Sequence, residues 1–82
     1  MSTQDDVLAV LDDVLSLNGR AKSFALSQPL LGAVPELDSI AVIGILNSLE
    51  DQFGFVVEDD EIDGSIFETV GSLVAFVERK LA

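Results

Sequence analysis

The stretch Leu37-Asp38-Ser39-Ile40 lies where a long loop leads into the most apolar predicted helix of the chain. Asp38 and Ser39 are typical helix-start residues, because their side-chain oxygens can accept hydrogen bonds from the unpaired amides of the first turn. A phosphate group at this point would meet free N–H groups and the positive end of the helix dipole. The stretch is therefore either a simple helix cap or the attachment point of a phosphoester on Ser39.

The helical spacing of apolar residues predicts two long helices, one on each side of the long loop. The first covers residues 3–18 and is stopped by Asn18-Gly19. The second begins at Asp38 or Ser39, runs to Phe53 and is ended by Gly54. Its core face is predicted to be the stripe formed by Val42, Leu46, Leu49 and Phe53, with Ile45 at its edge.

The loop between these helices, residues 19–37, is longer than most loops of compact domains. It carries six large apolar side chains, so we expect it to lie across the helices, with one short turn near Ser23. After the second helix, an extended acidic connection leads to a short turn capped by Asp63, and a last helix begins near Thr69. The sequence therefore predicts one all-α domain over residues 1–82, a small four-helix bundle with a long first loop and a short third helix.

Composition restricts the classes of function. The chain has no cysteine and no histidine, so disulfides, thiolate metal ligands and the commonest general base are all missing. We therefore do not expect an enzyme. The net charge of −11 argues against nucleic-acid binding and favours partners that present basic patches.

The acidic run at residues 59–64 partly matches a calcium-binding loop. The last position of such a loop requires a bidentate glutamate but is Val70 here, so we predict no metal site. The polar N-terminus is unlike a signal peptide, and the longest apolar run, residues 40–46, is too short to cross a bilayer. We expect a cytoplasmic monomer without a membrane span.

The side of the second helix that carries Ser39 is predicted to face outward. Ile40 and Ile43 lie on this side, and two exposed isoleucines indicate contact with a partner; ordinary surface exposure, or cover by the long loop, is the alternative. The other residues predicted to bind partners are Glu36, Gly44, Asn47, Glu50 and Asp51.

Three segments of the chain together resemble an acyl carrier protein. They are residues 30–40, which contain Asp38-Ser39-Ile40, residues 49–54 (Leu-Glu-Asp-Gln-Phe-Gly), and residues 67–73, which lead into the last helix. The resemblance covers essentially the whole chain, including the order of the helices, the long first loop and the excess of acidic residues.

The resemblance implies a carrier of acyl groups. In that family a phosphopantetheinyl transferase uses coenzyme A and magnesium to modify the serine of an Asp-Ser-Leu motif, which here would be Ser39. Asp38 matches the preceding acid, expected to help orient the transferase, and Ile40 takes the place of the leucine. The covalent 4′-phosphopantetheine arm would hold acyl groups as thioesters and deliver them to ligases or condensing enzymes of fatty acid, other lipid, polyketide or related biosynthesis.

The predicted recognition surface departs from that of fatty-acid-synthesis carriers. These usually place acids at the positions of Ala41 and Gly44, which are small and neutral here. The difference favours a specialised carrier, similar to small bacterial carriers associated with exopolysaccharide and protein-sorting loci. Sequestration of a long acyl chain between the helices is a hypothesis. Two alternative functions stay open: a peptidyl or aminoacyl carrier, and an unmodified acidic helical adaptor that binds a basic partner through Ile40 and Ile43.

Overall fold

Three α-helices form the framework of the protein in the computed structural model, which describes residues 2–82. They are α1 (Thr3–Leu15), α2 (Ser39–Phe53) and α3 (Val70–Leu81). The all-α prediction is confirmed. In place of a short third helix, the connection between α2 and α3 contains two 3₁₀ turns, Asp59–Glu61 and Gly64–Phe67, and the predicted turn near Ser23 is a third, Arg20–Ser23.

The predicted end of α1 is wrong, because the helix stops at Leu15 rather than continuing to Asn18. Ser16 adopts a left-handed conformation with φ of 54°, and the N–H of Leu17 turns back to the carbonyl of Asp12 at 3.0 Å. The Asp12 side chain also accepts hydrogen bonds from two amides beyond the helix, those of Gly19 and Ala21. This aspartate therefore favours a turn over further helix, and Leu17 becomes fully buried.

The bounds of α2 agree with the prediction, and α3 begins directly after its predicted cap. The Oδ1 of Asp38 accepts the Ala41 N–H at 2.8 Å at the start of α2, and Gly54 ends the helix with φ of 77°. Thr69 and Ser72 bond each other's backbone N–H groups in a capping box at the start of α3.

The core stripe of α2 is rotated from its predicted position. Ile45, predicted at the edge, is fully buried together with Leu49, whereas Val42 and Phe53 are only half-buried. α1 packs against α2, with Val14 close to Gly44, while Val42 faces the segment leading into α3.

The long loop supplies part of the core, as expected from its apolar content. Leu30, Val34 and Leu37 are buried, whereas Leu26 and Leu31 remain about half exposed. Backbone hydrogen bonds tie the loop to the segment before α3, including Leu31 N–H to the Phe67 carbonyl at 2.9 Å. The loop is thereby held against the segment that leads into α3.

Gly71 marks the closest approach between the loop and α3. Its N–H donates to the carbonyl oxygen of Leu26 at 2.8 Å, and a Cβ added at Gly71 would lie 3.0 Å from that same oxygen. Because backbone must move to admit the methyl group, Gly71→Ala should lower the free energy of unfolding by about 1–3 kcal/mol, measured by urea denaturation. Gly64→Ala is the control, because a Cβ there meets nothing within 4 Å. Equal stability of Gly71→Ala and the parent would contradict the argument.

Candidate functional site

Ser39 is the first residue of α2, and its side chain is exposed. Its hydroxyl forms no hydrogen bond with any of the described residues, 2–82, whereas the neighbouring Asp38 is engaged as the helix cap. The Ser39 hydroxyl is therefore accessible, and Asp38 fixes the local backbone that presents it.

The first turn of α2 keeps two amides available beside this hydroxyl. The side chain of Asp38 accepts the N–H of Ala41, and the backbone carbonyl of Asp38 accepts the N–H of Val42 at 2.9 Å. The N–H groups of Ser39 and Ile40 have no acceptor among residues 2–82. Together with the helix dipole, these donors would stabilise negative charge on a group attached to Ser39.

An apolar cavity of about 360 Å³ opens beside Ser39. It lies between the first turns of α2 and the segment that leads into α3. Ser39 and Asp38 are among its lining residues. The rest of its lining is Leu31, Val42, Ile43, Ile62, Asp63, Gly64 and Phe67.

The outer face of α2 is exposed and apolar next to Ser39, as predicted. Ile40 is 80 % exposed and Ile43 59 %, and both Asn47 and Asp51 farther along the helix are exposed. Single exposed isoleucines are common on protein surfaces, whereas these two lie on one helical face and form an apolar patch beside the Ser39 hydroxyl.

Two other residues predicted on this face are placed differently. Gly44 is half-buried against α1, since a Cβ added there would lie 3.3 Å from Cγ1 of Val14, so its predicted outward position is wrong. Glu50 is half-buried, and its Oε2 accepts the N–H of Val57 at 2.7 Å. It therefore anchors the connection after α2 instead of projecting freely into solvent.

Glu36, also predicted to bind partners, is exposed and paired within the chain. The guanidinium of Arg20 donates to its Oε2 at 2.6 Å, and this hydrogen bond lowers the pKa of Glu36. The pair holds two parts of the long loop together. It also reduces the negative charge that Glu36 offers to a partner.

The acidic connection after α2 is fastened to α3 by an ion pair. Lys80 Nζ donates to both carboxylate oxygens of Glu61 at 2.8 and 3.0 Å, and Glu61 Oε1 also accepts the N–H of Glu58. The hydrogen bond from Lys80 is the main cause of a lowered Glu61 pKa. Among residues 2–82, no cluster of three carboxylates that could hold a metal ion is formed.

Glu61→Gln should lower the melting temperature at neutral pH, although it removes one negative charge from a protein of net charge −11. A lowered folded-state pKa means that the pair stabilises the fold above the ordinary glutamate pKa of 4.5 and loses this effect as the pH falls through the folded value. The difference between variant and parent should therefore shrink towards acidic pH.

Asp60→Asn is the matched control for this experiment. Asp60 is an exposed acid of the same 3₁₀ turn without an ion pair among residues 2–82, so its variant should not be less stable. A constant difference between Glu61→Gln and the parent at every pH would show that the ion pair does not contribute.

The sequence predicts Ser39 as the attachment point and Asp38 as the helix cap, but it does not predict the cavity beside them. Ile62, Asp63 and Gly64 form one wall, and they are the last residues of an acidic run that shows neither helical nor strand periodicity. The one sequence signal was Asp63 as a cap, confirmed by its acceptance of the Ser65 N–H at 2.9 Å. Asp63 therefore predicts where the turn begins, but it does not predict that residues 62–64 line a cavity beside α2.

Comparison with known proteins places the chain in a known family. Residues 5–77 match the family model described as a phosphopantetheine attachment site. The fold is similar to the solution NMR structure of a holo acyl carrier protein from Nitrosomonas europaea, with 48% identity and a TM-score of 0.91 over 99% of this chain and 98% of that one. None of the curated proteins compared with the chain matches it significantly. No helix described in residues 2–82 has the length and apolarity needed to span a bilayer.

Proposed function

Since the chain belongs to the phosphopantetheine attachment family, we propose that it carries acyl groups as thioesters on an arm attached to Ser39. The cofactor is 4′-phosphopantetheine, held covalently. When attached, it supplies the thiol that a chain without cysteine lacks. The protein is a carrier. We propose that its cargo is an acyl group of lipid, polyketide or related biosynthesis.

The observation that supports Ser39 as the attachment point is that its exposed side chain lines the apolar cavity. The residues around it fit the cofactor, because Ser39 offers an exposed hydroxyl and two unpaired N–H groups lie at the positive end of α2. The cavity offers an apolar acyl chain a place outside water. A flexible arm also raises the effective concentration of the cargo at each partner's active site without tight docking.

We propose that partners dock on the outer face of α2. Ile40 and Ile43 would supply the apolar centre, with Asn47 and Asp51 farther along the helix and Glu36 beside its start. The net charge of −11 would steer partners with basic patches towards the protein as a whole. Such partners are a phosphopantetheinyl transferase, which attaches the arm, and the ligases or condensing enzymes that use it.

The apolar character of this face favours a specialised acyl carrier over one of general fatty acid synthesis. Ala41 brings no acid to the first turn of the helix, and the exposed Ile40 and Ile43 require a partner surface that is apolar at its centre. We propose that the carrier is a cytoplasmic monomer and that it serves lipid, polyketide or related biosynthesis. A peptidyl carrier is the weaker alternative, because peptidyl carriers are typically less acidic.

Intact mass spectrometry tests the proposal directly. The protein is incubated with coenzyme A, magnesium and a permissive phosphopantetheinyl transferase, and the expected product carries one phosphopantetheine group. Failure of several transferases to add it would overturn the proposal. Capture of a basic partner by the unmodified protein would then favour the acidic adaptor.

A further inference from the structure

Residues 55–62 of the acidic connection after α2, named the strap here, lack backbone hydrogen bonds to the rest of the described chain, residues 2–82. The strap's own backbone bonds are internal, from the Glu61 N–H to the Glu58 carbonyl at 3.0 Å and from the Ile62 N–H to the Asp59 carbonyl at 3.2 Å. The long loop, in contrast, is tied by its backbone to the segment before α3 and to Gly71. The strap is therefore attached by side chains.

Two side chains from the helices hold the strap. Near its start, Oε2 of Glu50 on α2 accepts the N–H of Val57 at 2.7 Å. Near its end, Nζ of Lys80 on α3 donates to both carboxylate oxygens of Glu61 at 2.8 and 3.0 Å. The Lys80 and Glu61 side chains are only 21 % and 32 % exposed, so salt screens this pair less than a fully exposed one. The strap is thereby fastened to α2 at one end and to α3 at the other.

Open space lies on both sides of the strap. A cavity of about 310 Å³ separates it from α2, and Val57, Asp59 and Ile62 are the strap residues that line this cavity. Another of about 420 Å³ lies where Glu61 meets Phe76 and Lys80 of α3. No side chain of the strap is buried. Since core packing holds it so little, the two side-chain anchors determine whether it stays in place.

Charge within the strap opposes its closed position. Its residues 58–61 are four consecutive acids, and no basic residue occurs in the sequence between Lys22 and Arg79. Neighbouring carboxylates repel one another, and Lys80 neutralises one of them. Loss of the ion pair would therefore remove an attachment and restore the repulsion at the same time.

The last residue of the strap reaches the surroundings of Ser39. Ile62 is 46 % exposed and lines the cavity beside Ser39 together with Ile43. The residue before it is Glu61, which Lys80 holds. Because Glu61 and Ile62 share a peptide bond, movement of Glu61 away from Lys80 displaces this part of the cavity wall.

We propose that the strap opens as one unit when the ion pair between Glu61 and Lys80 breaks, and that this latch controls the shape of the wall beside Ser39. In the open state, the N–H groups of Val57 and Ile62 lose their acceptors together while the three helices remain folded. Such local opening requires less free energy than global unfolding and is detected by hydrogen exchange. The latch is a property of the unmodified chain, so it does not depend on an arm at Ser39.

Amide hydrogen exchange of the unmodified protein, followed by NMR at constant pH, tests the opening. The N–H groups of Val57 and Ile62 should exchange with one common opening free energy, lower than that of the buried Leu11 in α1 and Leu49 in α2. Lys80→Met should raise the exchange rates of Val57 and Ile62 by about two- to fivefold, the effect expected from the loss of a partly exposed ion pair.

Two further variants identify the ion pair as the cause. Glu61→Gln removes the other half of the pair and should raise the same two rates. Arg20→Met is the matched control, because it also removes one cation and one ion pair, the pair with Glu36 in the long loop. It should leave the exchange of Val57 and Ile62 as in the parent, since local opening does not require the long loop to move.

Methyl NMR signals report the wall beside Ser39 in the same samples. Lys80→Met should shift the methyl signals of Ile43, which lines the cavity with Ile62, and leave those of Ile40, which does not line it. Arg20→Met should shift neither.

Each result decides one part of the proposal. Different opening free energies for Val57 and Ile62, or exchange of both only through global unfolding with Leu11, would overturn the strap as a unit. Parent-like rates in Lys80→Met, or an equal increase in Arg20→Met, would overturn the latch. Unchanged Ile43 methyl signals would overturn its control of the wall. All of these measurements are independent of the mass measurement that tests the proposed function.

Discussion

Ser39→Ala should abolish attachment of phosphopantetheine completely and leave the fold unchanged. The arm requires a hydroxyl oxygen as its point of attachment, and alanine has none. The fold should persist because Ser39 is exposed and its hydroxyl bonds to none of residues 2–82, while the cap of α2 comes from Asp38. Intact mass after incubation with coenzyme A and transferase gives the first readout, and urea denaturation gives the second.

Ser65→Ala is the matched control for Ser39→Ala. Ser65 is also exposed and lies near the start of a helical turn, where the capping Asp63 accepts its N–H at 2.9 Å. Its 3₁₀ turn is only four residues long, so it lacks the dipole of a long helix. The Ser65→Ala protein should gain the same mass as the parent. Retained loading of Ser39→Ala, or lost loading of Ser65→Ala, would contradict attachment at Ser39.

Short-range chemistry made the bounds of α2 and the start of α3 predictable. Asp38 and Thr69 cap helices through side chains that contact amides three residues away, and Gly54 ends α2 by adopting a positive φ. Such interactions depend on neighbouring residues alone. The end of α1 was not predictable in this way, because Asp12 competes for amides as distant as that of Ala21.

The surroundings of Ser39 depend on contacts between different segments of the chain. A helical wheel considers the residues of one helix alone and cannot predict such contacts. The wheel placed Gly44 beside Ile43 on the outer face, but α1 crosses close to that flank and Val14 covers it. It also gave no sign that Ile62 would come to face α2 across a cavity. The sequence thus predicts the reactive residue, while packing determines which space lies next to it.

Phe67→Ala should cause the largest loss of stability among the substitutions considered. Phe67 is only 1 % exposed, belongs to the core and forms part of the wall of the cavity beside Ser39. Removal of a buried phenyl ring costs about 3–5 kcal/mol, since the remaining core refills the space only in part. A chain of this size is stable by about 4–12 kcal/mol, so the substitution should remove between about a quarter and all of that stability.

Phe55→Ala is the comparison that separates burial from the loss of any aromatic ring. Phe55 is half-buried and stacks on Phe53 with ring centroids 6.0 Å apart, so its removal should cost roughly half as much. Equal urea midpoints for the two variants would contradict the core role of Phe67. Since the Phe67→Ala cavity opens next to Ser39, a long acyl group on the arm should refill part of it and raise the midpoint of this variant more than that of the parent.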